Sequence, residues 1–148
     1  MANEKEYKNM KIFRFMSIEE FKKFNDGEIL HNNRVHSAKT TSIGFCFFDL
    51  KDYKPHEAMH FLSGLVSFDI CAVFETNKSN LKERYGRYHK YNGYSLIPSI
   101  FTSSFYATEY CTTEYSNKDF KLIKFSEDIW GQYEPIEEQN ELKWTGVK

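Results

Sequence analysis

The sequence predicts a single small α+β domain, and three observations carry that prediction. Strand-like and helix-like segments follow one another in the order β-α-β-α-β-loop-β-β, so helices and strands are mixed without strict alternation. A length of 148 residues suits one compact unit. An aromatic content of 18%, with 14 Phe and 10 Tyr, supplies enough apolar surface for a substantial core. That core is expected over residues 11–125, after a flexible stretch at 1–10 and before an acidic segment at 126–148.

Lys11 to Met16 opens the fold as a strand with Ile12, Arg14 and Met16 on one face and Phe13 and Phe15 on the other. A helix follows at once. Ser17 and Glu20 have capping-box spacing, Met16 and Phe21 sit at the hydrophobic-staple positions, and Gly27 supplies a left-handed stop. Thr41 to Phe48 reads as an apolar second strand containing Gly44, and Pro55 starts a short helix that ends at Gly64. Val66 to Glu75 alternates most clearly, with Val66, Phe68, Ile70, Ala72 and Phe74 on one face. Residues 76–100 are polar, tyrosine-rich and without a clear period. Phe105 to Thr113 and Asp119 to Phe125 read as two further strands joined by the turn Tyr115-Ser116-Asn117-Lys118. Within the former, Phe105, Ala107, Glu109, Cys111 and Thr113 share one face, and Tyr106, Thr108, Tyr110 and Thr112 the other.

Charge and cysteine usage narrow the class. The formal net charge of −1 argues against general affinity for nucleic acid, although residues 126–148 carry two Lys against six acids and the remainder is net basic. Cys46, Cys71 and Cys111 are odd in number, lie in apolar stretches and form no Cys-x-x-Cys pair, which fits packed, reduced thiols. No apolar run approaches the roughly 20 residues of a membrane span, and the start MANEKEYKN lacks the apolar centre of a signal peptide. A soluble, cytoplasmic protein without a membrane partner is expected.

Three features bear on chemistry. Arg14, on a strand face among apolar neighbours, needs a carboxylate or phosphate to match its fork of donors, unless it reaches solvent at an edge or serves a structural ion pair. Glu109, among small and apolar residues, is either paired with a cation or set in a pocket that raises its pKa. His56-Glu57-Ala58-Met59-His60 matches the H-E-x-x-H pattern of zinc peptidases. On a helical wheel, however, Ala58, Phe61, Leu62 and Leu65 form the packed stripe and the two histidines fall on the solvent side. Only Glu75 and Glu83 offer a third ligand, so a zinc metallopeptidase ranks last and no metal site is expected.

Arginine on the first strand, Thr40-Thr41-Ser42 opening the second and Glu109 on a late strand together resemble the R-S-E arrangement of the ADP-ribosyltransferase superfamily. FRFMSIEEFKKFNDGEIL is similar to the opening of small members, HSAKTTSIGFCFF to their hydroxyl-bearing strand, PHEAMHFLSGLVSFDICAVFE to the helix and strand that follow, and TEYCTTEYSNKDFKLIKF to the glutamate strand and its turn. The resemblance covers residues 11–125. It implies a mostly antiparallel, split β-sheet with two or three short helices, and NAD as the substrate of ADP-ribosyl transfer. Arg14 would grip the pyrophosphate, Thr41 and Ser42 the nicotinamide-side ribose, and Phe45 or Tyr106 the nicotinamide ring. Glu109 would be the catalytic residue, binding the ribose 2′-hydroxyl and stabilising the oxocarbenium-like cation. His36 would contact ribose or phosphate, or be no more than a loop residue.

The acceptor is hinted at only by residues 78–94, where basic residues interleave with Tyr85, Tyr88, Tyr91 and Tyr94. That pattern suits a protein target or a nucleic acid, or else a surface helix or loop whose tyrosines pack on the sheet. Small domains of this kind occur in bacteria and their phages as toxins and as counter-defence inhibitors. The alternative to catalysis is therefore a non-catalytic nucleotide- or protein-binding inhibitor on the same fold.

Overall fold

The computed structural model describes residues 9–33, 44–62, 65–90, 103–132 and 141–146. In chain order the elements are β1 (Asn9–Met16), α1 (Ile18–Asn25), β2 (Leu30–His31), β3 (Phe45–Asp49), α2 (Pro55–Leu62), β4 (Ile70–Asn77), a 3₁₀ turn (Lys78–Asn80), β5 (Lys82–Lys90), β6 (Ser103–Thr112), β7 (Glu114–Tyr115), β8 (Phe120–Glu127) and β9 (Thr145–Gly146). Seven strands form one sheet in the order β5-β6-β3-β1-β4-β8-β9, and β2 pairs with β7 beside it. Every pairing is antiparallel. The fold is thus a small α+β domain on a mostly antiparallel sheet. No helix among the described residues is long and apolar enough to cross a membrane.

Alternation along β1 gives the sheet two apolar faces. Phe13 and Phe15 join Phe48, Cys71, Val73 and Ala107 under Ala58, Met59, Phe61 and Leu62 of α2. Ile12 and Met16 join Phe47, Ala72 and Phe74 under Phe21 and Phe24 of α1, with Tyr115 and Phe120 closing that side. Each buried phenylalanine contributes about 1.5–3 kcal/mol by leaving water, so the two faces share the cost of ordering the chain.

Local signals explain α1. Ser17 Oγ accepts from the Glu20 backbone N–H at 3.2 Å, and Gly27 at φ 84° turns the chain out after Asp26. The Glu20 side chain departs from a capping box, because it turns to Arg14 instead of returning to the cap. On α2 the glutamate half of such a box does form, Glu57 Oε1 accepting from the Lys54 backbone N–H at 2.9 Å, although Lys54 has no side-chain acceptor to reciprocate.

Several bounds differ from the sequence expectation for physical reasons. β1 begins at Asn9, inside the stretch expected to be flexible, because Asn9 and Met10 pair with Asn77 and Thr76. β4 starts at Ile70 and not Val66, since its partner β1 ends at Met16, opposite Ile70, where Ser17 diverts the chain into α1. β3 starts at Phe45 because Gly44 is left-handed at φ 85°. The apolar stripe of α2 includes fully buried Met59, whereas Leu65 lies beyond the helix and is exposed. Residues 82–90, expected as loop or surface helix, form β5. Tyr115, expected in a turn, is buried in β7 and stacks on Phe24. The C-terminal segment is not merely an acidic surface: Ile129 and Leu142 are buried in the core, and Ser126 Oγ donates to the Lys143 carbonyl at 2.7 Å.

Candidate functional site

Arg14 is enclosed at the start of the molecule. Its Nε donates to Glu20 Oε2 at 2.6 Å, Nη2 to Glu20 Oε1 at 2.8 Å and Nη1 to the Cys46 carbonyl at 3.2 Å. The guanidinium lies over Phe45 and Phe47, 5.0 and 5.9 Å from their ring centres. Tyr115 donates to Glu20 Oε2 at 2.5 Å, so the carboxylate is held from both sides. Burial opposes the charge on Arg14, but the bond to Glu20 and its negative charge outweigh burial and raise the pKa. Burial and the adjacent Glu20 likewise raise the Tyr115 phenol. Of the readings open for Arg14, the arrangement matches the structural ion pair. Its partner is the helix-start glutamate six residues on.

Glu109 is fully buried, as the face reading of its strand implied. Tyr88 of β5 donates to its Oε1, while Oε2 lies 4.0 Å from Cys111 Sγ. Cys46 of β3 stands directly opposite Cys111 of β6, with the sulfurs 3.2 Å apart, and all three cysteines are reduced. Contact with Cys111 and burial push the Cys46 thiol well above its usual range, and burial and Glu109 do the same to the Tyr88 phenol. Gly86 makes the space: a Cβ there would sit 2.7 Å from Glu109 Cδ and 2.9 Å from a Tyr88 ring carbon. Gly86→Ala is therefore expected to cost about 1–3 kcal/mol by overpacking, measured by urea unfolding. The loss should shrink in Gly86→Ala/Glu109→Ala, and equal losses in the two backgrounds would mean that Gly86 does not make room for the carboxylate.

These two polar centres lie on opposite faces of one sheet. Arg14 shares its face with Ile12 and Met16 against α1, and Glu109 shares its face with Ala107 against α2. The register shows why. Phe13 pairs with Phe48, which places Arg14 in the row of Phe47, and Phe47 pairs with Tyr110, one residue from Glu109. Of the expected site residues that are described, Arg14 and Phe45 thus lie together on one face and Glu109 on the other. Phe45 is buried and occupied by Arg14 and by Tyr115, whose ring centre is 4.7 Å away. Tyr106 is exposed on the side away from Glu109. His36, Thr41 and Ser42 lie outside the described residues. His56 and His60 are half-buried rather than solvent-facing, and Glu57 is used as a helix cap. Among the described residues, the one group of His, Cys, Asp and Glu side chains with metal-ligand spacing is Cys46, Glu109 and Cys111.

The outward product of β5 and β6 is an aromatic and basic patch. Tyr85 is 59% exposed and Tyr106 69% exposed, with Arg87 exposed directly opposite Tyr106 and Tyr85 opposite Thr108. Tyr85 is steadied by donating to Glu83 Oε2 at 3.1 Å, and that bond raises its pKa. Among the described residues β5 is also the outermost strand on its side of the seven-stranded sheet. Gly86 and Tyr88 face inward from the same strand; sequence did not single out Gly86, and it named Tyr88 only as one of the tyrosines of a target-binding stretch. Tyr91 and Tyr94 lie outside the described residues.

Fold and site together define an antiparallel-sheet α+β domain with two enclosed polar centres and one exposed aromatic edge. The chain matches no protein-family model, no curated protein and no solved structure.

Proposed function

We propose that this protein acts by binding a partner protein through the β5–β6 edge, and not by turning over a nucleotide. The observation that carries this reading is the pair Tyr85 and Tyr106, both more than half exposed on neighbouring strands with Arg87 between them. Tyrosine and arginine are the residues from which interface hot spots are built, and β5, the outermost strand on its side of the sheet among the described residues, adds backbone donors and acceptors for a partner segment. A net charge of −1 supplies no general attraction for phosphate backbones, which favours a protein over a nucleic acid. The inhibitor role implied by the resemblance, counter-defence by a phage included, would work through such a face.

ADP-ribosyl transfer from NAD is the second reading. It is favoured by the adjacency of β6, β3 and β1, the strands bearing Glu109, Phe45 and Arg14. Against it, Arg14 and Glu109 point to opposite faces and each has its own partner within the fold.

The test uses the whole chain as bait for host proteins, alongside Tyr85→Ala/Tyr106→Ala. A stoichiometric partner should be captured by the wild type and bind the double variant at least about 30-fold more weakly, the effect of a single hot-spot truncation of about 2 kcal/mol. Equal binding by the two proteins would reject the face. Single-stranded oligonucleotides that bind the wild type and not the variant would reassign the patch to nucleic acid. Nicotinamide release from NAD that is lost in Glu109→Gln would restore the transferase.

A further inference from the structure

We propose that Cys46, Cys111 and Glu109 form a binding site for a thiophilic divalent cation, zinc in the first instance, with Tyr88 as the outer residue that orients the carboxylate. This inference is independent of the β5–β6 edge, because its residues lie on the inward face of β3, β5 and β6.

The ligand set comes first. Two cysteine sulfurs and a carboxylate oxygen lie within 4.8 Å of one another, on strands whose register fixes them as immediate neighbours. A sulfur separation of 3.2 Å is well beyond the ~2.05 Å of a disulfide, and a tetrahedral zinc with bonds of ~2.3 Å needs its sulfurs about 3.7 Å apart, a small adjustment across one strand pair. Thiolates select zinc over magnesium or calcium, for which an all-oxygen set is needed.

The surroundings are those of a constructed site. Tyr88 holds Glu109 Oε1 and leaves Oε2 directed towards Cys111. Outer hydrogen bonds of this kind set the orientation of metal-ligating carboxylates. Gly86 provides the volume that the carboxylate occupies. Access exists as well. Cys111, though not Cys46 or Glu109, lines a cavity of about 240 Å³ together with Leu81, Lys82, Arg84 and Thr112, which leaves that one ligand beside a space an ion can enter. On binding, the two S–H protons leave to solvent and the thiolates and carboxylate bond the cation, so no oxidant or reductant is required.

The experiment uses untagged, reduced, metal-stripped full-length protein titrated with zinc salt in competition with a chromophoric chelator. One equivalent should bind, and Cys46→Ser and Cys111→Ser should each weaken it at least 100-fold. Tyr88→Phe should weaken it about 10–100-fold, the usual effect of losing an outer-shell partner. His60→Ala should leave binding unchanged, which separates this site from the H-E-x-x-H match. Cobalt added to the wild type should give a thiolate-to-metal charge-transfer band, a readout that needs no variant to fold. The proposal is overturned if reduced wild-type protein takes up no zinc against the chelator. It is also overturned if Cys46→Ser/Cys111→Ser binds zinc as the wild type does, or if protein isolated without reductant is metal-free and two mass units light from a Cys46–Cys111 disulfide.

Discussion

Glu20→Ala is expected to lower the unfolding free energy by about 3–5 kcal/mol, the loss that follows when one partner of a buried ion pair is removed and the other keeps its charge. Arg14 would then sit over Phe45 and Phe47 with only the Cys46 carbonyl in place of its bidentate partner. Domains of this size are stable by about 5–15 kcal/mol, so the variant should show a strongly reduced urea midpoint with an unchanged slope. Arg14→Met/Glu20→Leu should recover much of the loss, because apolar replacement of both ions removes the unpaired charge. A loss under about 1 kcal/mol for Glu20→Ala would place the pair in the class of solvent-screened surface bridges. Arg14 would then be available to an anionic ligand, and the nucleotide-gripping role would regain its ground.

Gly44→Ala should be nearly as damaging, for reasons of backbone alone. Gly44 is left-handed at φ 85°, and a Cβ there would lie 2.8 Å from the Asn32 carbonyl oxygen, 2.9 Å from Thr113 Cα and closer still to the Thr112 carbonyl. The left-handed conformation costs an L-residue about 1–2 kcal/mol, and forcing a methyl into packed backbone about 1–3 more. The sum, about 2–5 kcal/mol, corresponds to a melting point lower by roughly 5–20 °C in a domain of this size. Amide exchange should quicken first where the displaced strands meet, at the 2.8 Å bond from Asn32 N–H to the Thr113 carbonyl and along the Phe45–Thr112 pairing. A variant that melts within about 2 °C of the wild type would show that this junction yields freely.

What could be read in the sequence was local. Ser17 and Gly27 bound α1 because capping and left-handed stops are decided within a few residues. The face sharing of Ile12, Arg14 and Met16, and of Ala107, Glu109 and Cys111, was equally legible from alternation. β5 was not, because its inward positions are Arg84, Gly86 and Tyr88, a set without the apolar alternation that announces a strand. The relation between Arg14 and Glu109 was hidden for a different reason. Each strand shows which of its residues face the same way, but the side of the sheet on which that set lands depends on the parity of two registers, β1 with β3 and β3 with β6. A slip of one residue in either would bring the two side chains to the same side. The Cys46–Cys111 pairing and the Tyr85–Tyr106 patch depend on the same long-range registers and were out of reach on the same ground.

The link that Tyr115 makes to Glu20 also has a consequence for how the chain is born. The helix that follows β1 is specified within the first tens of residues, yet the carboxylate at its start is completed by a phenol 95 positions later. β1 itself, at the centre of the sheet, meets partners drawn from residues 48–49 and 70–77. A nascent chain emerging from the ribosome can thus pair β1 with β3 and β4 once residue 77 is made, but lacks Tyr115 and Phe120 on the α1 side until they follow. Closure awaits the arrival of residues 115–120, which places this fold among those of high contact order and slow assembly.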